Sequence, residues 1–263
     1  MKKVYALAGL PRTGSTVLAS LLNQHPDIFV SGTSPLLDLL CYTDANWSTI
    51  KNYSKEQHPE QVLNIYRSLI QGFYQHIPNP IIIDKHRAWA RNVSGLKNIG
   101  FDTPKVICTI RPMAEIISSF IKLINKDTTG NNYVDITLKK RGLTSSIKNR
   151  CEFIWHEMVS NTHESVQIGL QTAKESMLFL TYDEIVHAPT PTLHKVYTFL
   201  DITAFKHHTF DNIITTGLEN DDEYWQFPGL HTIRPQLKAE KNNPADIIGK
   251  DLAEYFQRFD IIV

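Results

Sequence analysis

Short apolar runs alternate with amphipathic stretches along this chain, and the two periods separate strands from helices. Residues 4–10 are apolar throughout and predict a buried strand. Val17, Leu18, Leu21 and Leu22 then recur at helical spacing on one face. His25-Pro26 ends that helix, because the residue before a proline is driven out of the α region. Residues 28–30, 80–84, 105–110 and 176–181 predict four further strands. Helical stretches are expected near 35–41, 59–75, 88–98, 147–174 and 192–200, with a last helix from about residue 246. The clearest helical face is Met113, Ile116, Ile117, Phe120, Ile121 and Ile124, with Pro112 at the first turn, where a missing N–H costs nothing. Residues 125–146 are polar, with Thr128-Thr129-Gly130-Asn131-Asn132 at the tip, and read as a mobile loop or lid. Apolar strands separated by helices imply a mainly parallel sheet covered on both faces, a three-layer α/β/α arrangement. No repeat, low-complexity tract or linker divides the sequence, so one domain over residues 1–263 is expected.

Composition adds limits to this picture. With 42% hydrophobic and 21% charged residues, the chain is that of an ordinary globular protein. Its 27 Lys+Arg balance 27 Asp+Glu, which removes the bulk electrostatic case for a nucleic acid or an anionic membrane as partner. A local basic pocket is still compatible with that total. The three cysteines are odd in number and lack metal-ligand spacing, which fits a reduced, cytoplasmic protein better than a disulfide scaffold. No run approaches the ~18 consecutive apolar residues of a membrane span. The opening lysines and short apolar run, broken by Pro11 and Arg12, read as a first strand rather than a leader.

The segment Gly9-Leu10-Pro11-Arg12-Thr13-Gly14-Ser15-Thr16 lies between the first strand and the first helix. In α/β sheets ligands bind at the carboxyl ends of strands, and such a turn presents backbone N–H groups at a helix N-terminus. Gly14 permits close approach of an anion, and Ser15, Thr16 and Arg12 add donors. The G-x-x-x-x-G spacing matches a P-loop, but Ser15 stands where that motif needs its lysine.

This segment resembles the 5′-phosphosulfate loop of the PAPS-dependent sulfotransferases. The resemblance implies a P-loop-like fold without the NTPase lysine. It also implies 3′-phosphoadenosine 5′-phosphosulfate (PAPS) as sulfate donor, adenosine 3′,5′-bisphosphate (PAP) as product, and no metal in the chemical step. On that basis Arg12, Thr13, Gly14, Ser15 and Thr16 hold the 5′-phosphosulfate, Arg12 also acting in catalysis. A second family feature is an arginine ending a central strand with a serine eight residues later, both holding the 3′-phosphate. Arg111 and Ser119 have that spacing, although helix phase alone leaves Ser118 open. Tyr182, just past a later strand, corresponds to a residue near the adenine. Arg234, in the basic segment 229–238, corresponds to a loop closing over the nucleotide.

An acceptor hydroxyl needs a base. The family uses either a histidine after the third strand or a glutamate after the second. Here the second position, Ser31-Gly32-Thr33-Ser34-Pro35, contains no acid, whereas the third strand ends Asp84-Lys85-His86. His86 is therefore the expected base, Lys85 assists at the bridging oxygen, and Asp84 is the fallback. The expected acceptor is a small molecule, carbohydrate or peptide. Residues 35–47 and 125–146, with Trp89 and Trp225, are candidate acceptor walls. Two other readings remain open: a P-loop small-molecule kinase, with Ile81–Asp84 imitating a Walker-B strand, and a non-catalytic nucleotide-binding protein.

Overall fold

Strand β1 (Lys3–Gly9) runs through the middle of a five-stranded sheet of order β2-β3-β1-β4-β5 in the computed structural model. The other strands are β2 (Ile28–Val30), β3 (Ile81–Lys85), β4 (Val106–Ile110) and β5 (Met177–Thr181), and every pairing is parallel. The structure describes residues 2–47, 49–50, 54–101, 104–127, 132–211, 213, 236–237 and 243–263.

Successive strand side chains point to opposite faces, and this alternation builds two cores. Tyr5 and Leu7 of β1 join Leu18, Leu21 and Leu22 of α1 (Ser15–Leu22) on one face. Ala6 and Ala8 join a larger core on the other. Contributors to that core include Leu36 and Leu40 of α2 (Leu36–Trp47), Tyr66 and Ile70 of α3 (Pro59–Phe73), and Trp89 of α4 (Trp89–Asn92). It also takes in the full stripe from Met113 to Ile124 on α5 (Met113–Lys126). Burying a large aliphatic side chain of this kind contributes roughly 1.5–3 kcal/mol. The three-layer α/β/α reading is therefore observed.

The segment 125–146 departs from expectation. Helix α5 continues to Lys126, α6 spans Tyr133–Lys140, and Ser146 caps α7 (Ile147–Phe153) by accepting from the Asn149 N–H. Asn132, read as loop, instead caps α6 through the Asp135 N–H. Local sequence made the stretch look like loop because its polar residues are caps and ion pairs rather than solvated chain. Residues 128–131 lie outside the described residues.

The long predicted helix is observed as α7, a π-helical turn Ile154–Val159, and α8 (Ser160–Ala173). Beyond β5 come α9 (Tyr182–His187) and α10 (Pro189–Leu200); the former was missed because its signal is a Thr181–Glu184 capping box rather than periodicity. The last predicted helix is broken in two at Gly249. Beyond it, the Asp260 carboxylate accepts the Met113 N–H at 2.6 Å, and the Phe259 carbonyl faces His163 Nε2 at 2.9 Å. The N-terminus of α5 is thus capped from the far end of the chain.

Asp135 and Arg150 form a two-pronged pair, Nε to Oδ1 at 2.8 Å and Nη2 to Oδ2 at 2.7 Å. Burial pushes the Asp135 carboxyl up, but the Arg150 and Asn132 hydrogen bonds outweigh it, so the net direction is down. A depressed carboxyl stabilises the fold above its unfolded pKa, about 4, and that contribution disappears as pH falls through the lower folded value. Arg150→Ala is expected to reduce unfolding free energy by about 1–3 kcal/mol at pH ~7. Urea titrations at neutral pH and near pH ~3 should show the difference between wild type and variant shrinking in acid.

Candidate active site

A cavity of about 500 Å³ opens across the carboxyl ends of the strands. Its wall follows the sheet order, from Tyr182 beyond β5, through Arg111 beyond β4 and the loop after β1, to Lys85 and His86 at the end of β3.

The loop after β1 is shaped by two left-handed residues, Arg12 (φ 62°) and Gly14 (φ 82°). Gly14 is the N-cap of α1 and offers no side-chain cap, so the first N–H groups of that helix are left to a ligand or solvent. A Cβ at Gly14 would lie 3.2 Å from the Tyr182 ring, so the position is short of space as well as left-handed. Arg12, Gly14, Ser15 and Thr16 line the cavity. Thr13 does not share that exposure, because its hydroxyl turns inward to the Leu10 carbonyl and the Thr109 hydroxyl, each at 2.6 Å. Thr13 is fully buried and does not line the cavity, so its side chain holds the loop in shape.

Arg12 Nε donates to Ser119 Oγ at 3.1 Å, and Arg111 Nη1 donates to the Arg12 carbonyl at 3.2 Å. Three residues named from two separate motifs therefore meet in one place. Ser118, the alternative left open by helix phase, is buried and donates to the Glu115 carbonyl. Arg111 is held by Glu115 at 2.8 Å and its guanidinium lies 3.9 Å from the centre of the Tyr182 ring. Lys85 Nζ reaches Thr16 Oγ1 at 3.2 Å, which joins the end of β3 to the anion loop.

His86 Nδ1 accepts the Ala88 N–H at 3.2 Å, so in the neutral ring the proton sits on Nε2, facing Asp38 Oδ2 at 3.5 Å. Asp38 stands on α2, seven positions after Ser31 in a segment where no loop acid was found.

Asp84 is fully buried and accepts from Trp89 Nε1 at 2.6 Å, from Ser34 Oγ at 2.5 Å and from the Tyr74 hydroxyl. Burial pushes its carboxyl up, against the opposing effect of these three donors and of His86. Its place behind β3 keeps it from touching an acceptor, so the fallback base is a structural carboxylate. Trp89, a candidate acceptor wall, is likewise buried core and not lining. Arg234 and Trp225 lie outside the described residues. Arg87, Arg91, Lys122, Asn161 and Thr162 also line the cavity, and no local motif pointed to them. Lys122 alone carried a faint signal, one helical turn beyond Ser119 on α5.

The profile of the sulfotransferase family matches residues 6–206, and this chain belongs to that family. A protein-tyrosine sulfotransferase of Drosophila melanogaster is 19% identical over 206 residues, covering 77% of this chain and 39% of its own length. The chain thus spans about two fifths of that relative. Among solved structures, a mouse sulfotransferase complexed with PAP shares the fold with a TM-score of 0.53 at 13% identity, covering 98% of this chain and 83% of its own. A sulfotransferase from Alicyclobacillus acidocaldarius gives 0.51 at 14% identity, covering 84% and 87%. No helix among the described residues is long and apolar enough to cross a membrane.

Replacing Asp84 by alanine would leave three buried donors without an acceptor, each costing about 1–3 kcal/mol. Asp84→Ala should therefore lose about 3 kcal/mol or more in chemical denaturation. Asp84→Asn should lose clearly less, because the Ser34 and Tyr74 hydroxyls can turn to accept from the amide.

Proposed function

We propose that this protein transfers a sulfuryl group from PAPS to an acceptor hydroxyl. The observation that carries the reading is the meeting of Arg12, Arg111 and Ser119 beside the uncapped N-terminus of α1. Such a cradle suits two separated anionic groups on one nucleotide: backbone N–H groups and Arg12 for the 5′-phosphosulfate, Arg111 and Ser119 for the 3′-phosphate. Tyr182 and Val186, at the β5 end, suit the flat adenine. The PAP bound to the mouse structure supports the same donor class.

In the transfer, the bond from sulfur to the 5′-phosphate oxygen breaks while a bond to the acceptor oxygen forms, and the acceptor loses its proton. Negative charge grows on the departing phosphate, and fixed donors aimed there lower the barrier. Lys85, bound to Thr16 at the loop, and Arg12 are suited to that task. The acceptor enters at the β3 end and gives its proton to His86. The imidazole must turn to present Nδ1, now engaged by Ala88, and Asp38 stabilises the resulting imidazolium. A kinase reading is disfavoured by Ser15 at the lysine position and by the enclosure of Asp84, which leaves no aspartate at the end of β3 for Mg²⁺.

Calorimetry with PAP in the absence of Mg²⁺ should show tight binding that Arg111→Ala weakens by about tenfold or more. A preference for Mg·ATP would reverse the assignment toward the kinase. His86→Ala should lower turnover by about 10²-fold while leaving the PAP affinity nearly unchanged. Near-normal turnover would remove His86 from the role.

A further inference from the structure

Both residues assigned to the 3′-phosphate depend on helix α5. Arg111 precedes Pro112, the N-cap, and its guanidinium is held at 2.8 Å by Glu115 in the first turn of the helix. Ser119 stands one turn beyond Glu115 and accepts from Arg12 Nε at 3.1 Å. The aim of the Arg111 head therefore depends on a well-formed first turn. A helix leaves its first N–H groups without intrahelical partners, and Pro112 supplies no side-chain cap for them.

The missing cap comes from 147 positions away, where Asp260 Oδ1 accepts the Met113 N–H at 2.6 Å. A carboxylate at a helix N-terminus is favoured twice, by a charge-assisted hydrogen bond and by the helix dipole. Asp260 is delivered by a clamp on its neighbour, Phe259. That ring lies 4.2 Å, centre to centre, from Trp155 of the π-helical turn, and 6.2 Å from His163 of α8. Tyr255, of the helix Lys250–Gln257, stands 5.6 Å from it on the same measure. The Phe259 carbonyl accepts from His163 Nε2 at 2.9 Å. Three elements thus fix the backbone from which the Asp260 carboxylate reaches α5. Neither Asp260 nor Met113 lines the cavity, so any effect of Asp260 on a bound nucleotide passes through α5.

Resting on the sulfuryl-transfer reading, we propose that Asp260 is a positioning residue for the donor site. By closing the first turn of α5 it sets Glu115, and through Glu115 the Arg111 guanidinium, for the 3′-phosphate of the nucleotide. Arg111 would carry its charge without this support. A guanidinium that is ordered only when the ligand arrives, however, gives back part of its affinity as lost side-chain freedom. Here the ordering is done by folding.

The test is calorimetry with PAP on the full chain, below the melting midpoint of every variant compared. Asp260→Ala should weaken PAP binding by about fivefold or more. Asp260→Asn, whose amide oxygen still accepts the Met113 N–H, should stay within about twofold of wild type. In the Arg111→Ala background, Asp260→Ala should change the affinity by less than about twofold, because the group it positions is gone. Arg150→Ala loosens the fold outside the cavity lining and should leave PAP binding within about twofold. Should Asp260→Ala not fold, Asp260→Glu moves the carboxylate by one methylene and is expected to weaken PAP by about threefold. Wild-type affinity in Asp260→Ala, or in Asp260→Glu where it stands in, overturns the proposal. So does a loss that persists undiminished without Arg111, a loss that asparagine does not repair, or an equal loss in Arg150→Ala. Failure of the wild type to bind PAP removes the donor reading and this assignment with it. Failure of the assignment alone shows as a wild type that binds PAP and Asp260 variants that bind it equally well.

Discussion

Asp84 is fully buried, and three parts of the fold converge on it. Its two oxygens take the indole of Trp89 at the start of α4, the hydroxyl of Tyr74 just past α3, and the hydroxyl of Ser34 in the turn before α2. The same turn is sewn to β3 through the backbone, with Ser31 Oγ accepting the Lys85 N–H at 2.8 Å and the Ser34 N–H reaching the Lys85 carbonyl at 3.1 Å. Lys85 and His86 therefore emerge from a strand end fixed on both sides. A buried carboxylate is costly unless its lone pairs are used, and here the donors come from separate elements that share the larger core. The carboxyl group is the internal joint that gives the β3 end of the cavity a fixed geometry.

The anion loop follows a different principle. The first backbone N–H groups of α1 have no side-chain cap there, and the guanidinium groups of Arg12 and Arg111 stand beside them. Arg111 contacts Arg12 through a carbonyl oxygen, Glu115 through an ion pair and Tyr182 through its ring, so its head is oriented before any ligand arrives. The zero net charge of the chain conceals this local concentration of cations, because the balancing carboxylates lie mostly elsewhere. Among the described residues, the cavity lining holds one acid and six Lys and Arg side chains.

Much of the fold could be read from the chain because parallel strands buried on both faces are apolar runs, and because the α5 stripe is periodic over four turns. The anion loop and the Arg111–Ser119 pair were legible for a related reason, being short motifs with fixed spacing. What escaped was set by long-range contact. Helix α6 is short and polar, held by Arg150 and an Asn cap, so its pattern reads as loop. Trp89 looked like a pocket aromatic because nothing local reveals its bond to Asp84. Arg91 and Asn161 are 70 positions apart and meet only because α8 lies against α4.

The left-handed backbone at Arg12 carries one more consequence. A side chain at φ 62° pays a steric cost of about 1–2 kcal/mol that glycine would escape. Yet glycine there would delete the guanidinium that meets Ser119 and faces the cavity. Recognition and rigidity therefore pull this position in opposite directions: the version of the loop with the least backbone strain is the one without its guanidinium. A search for thermostable variants, left to backbone strain alone, would drift toward removing that side chain from the cavity.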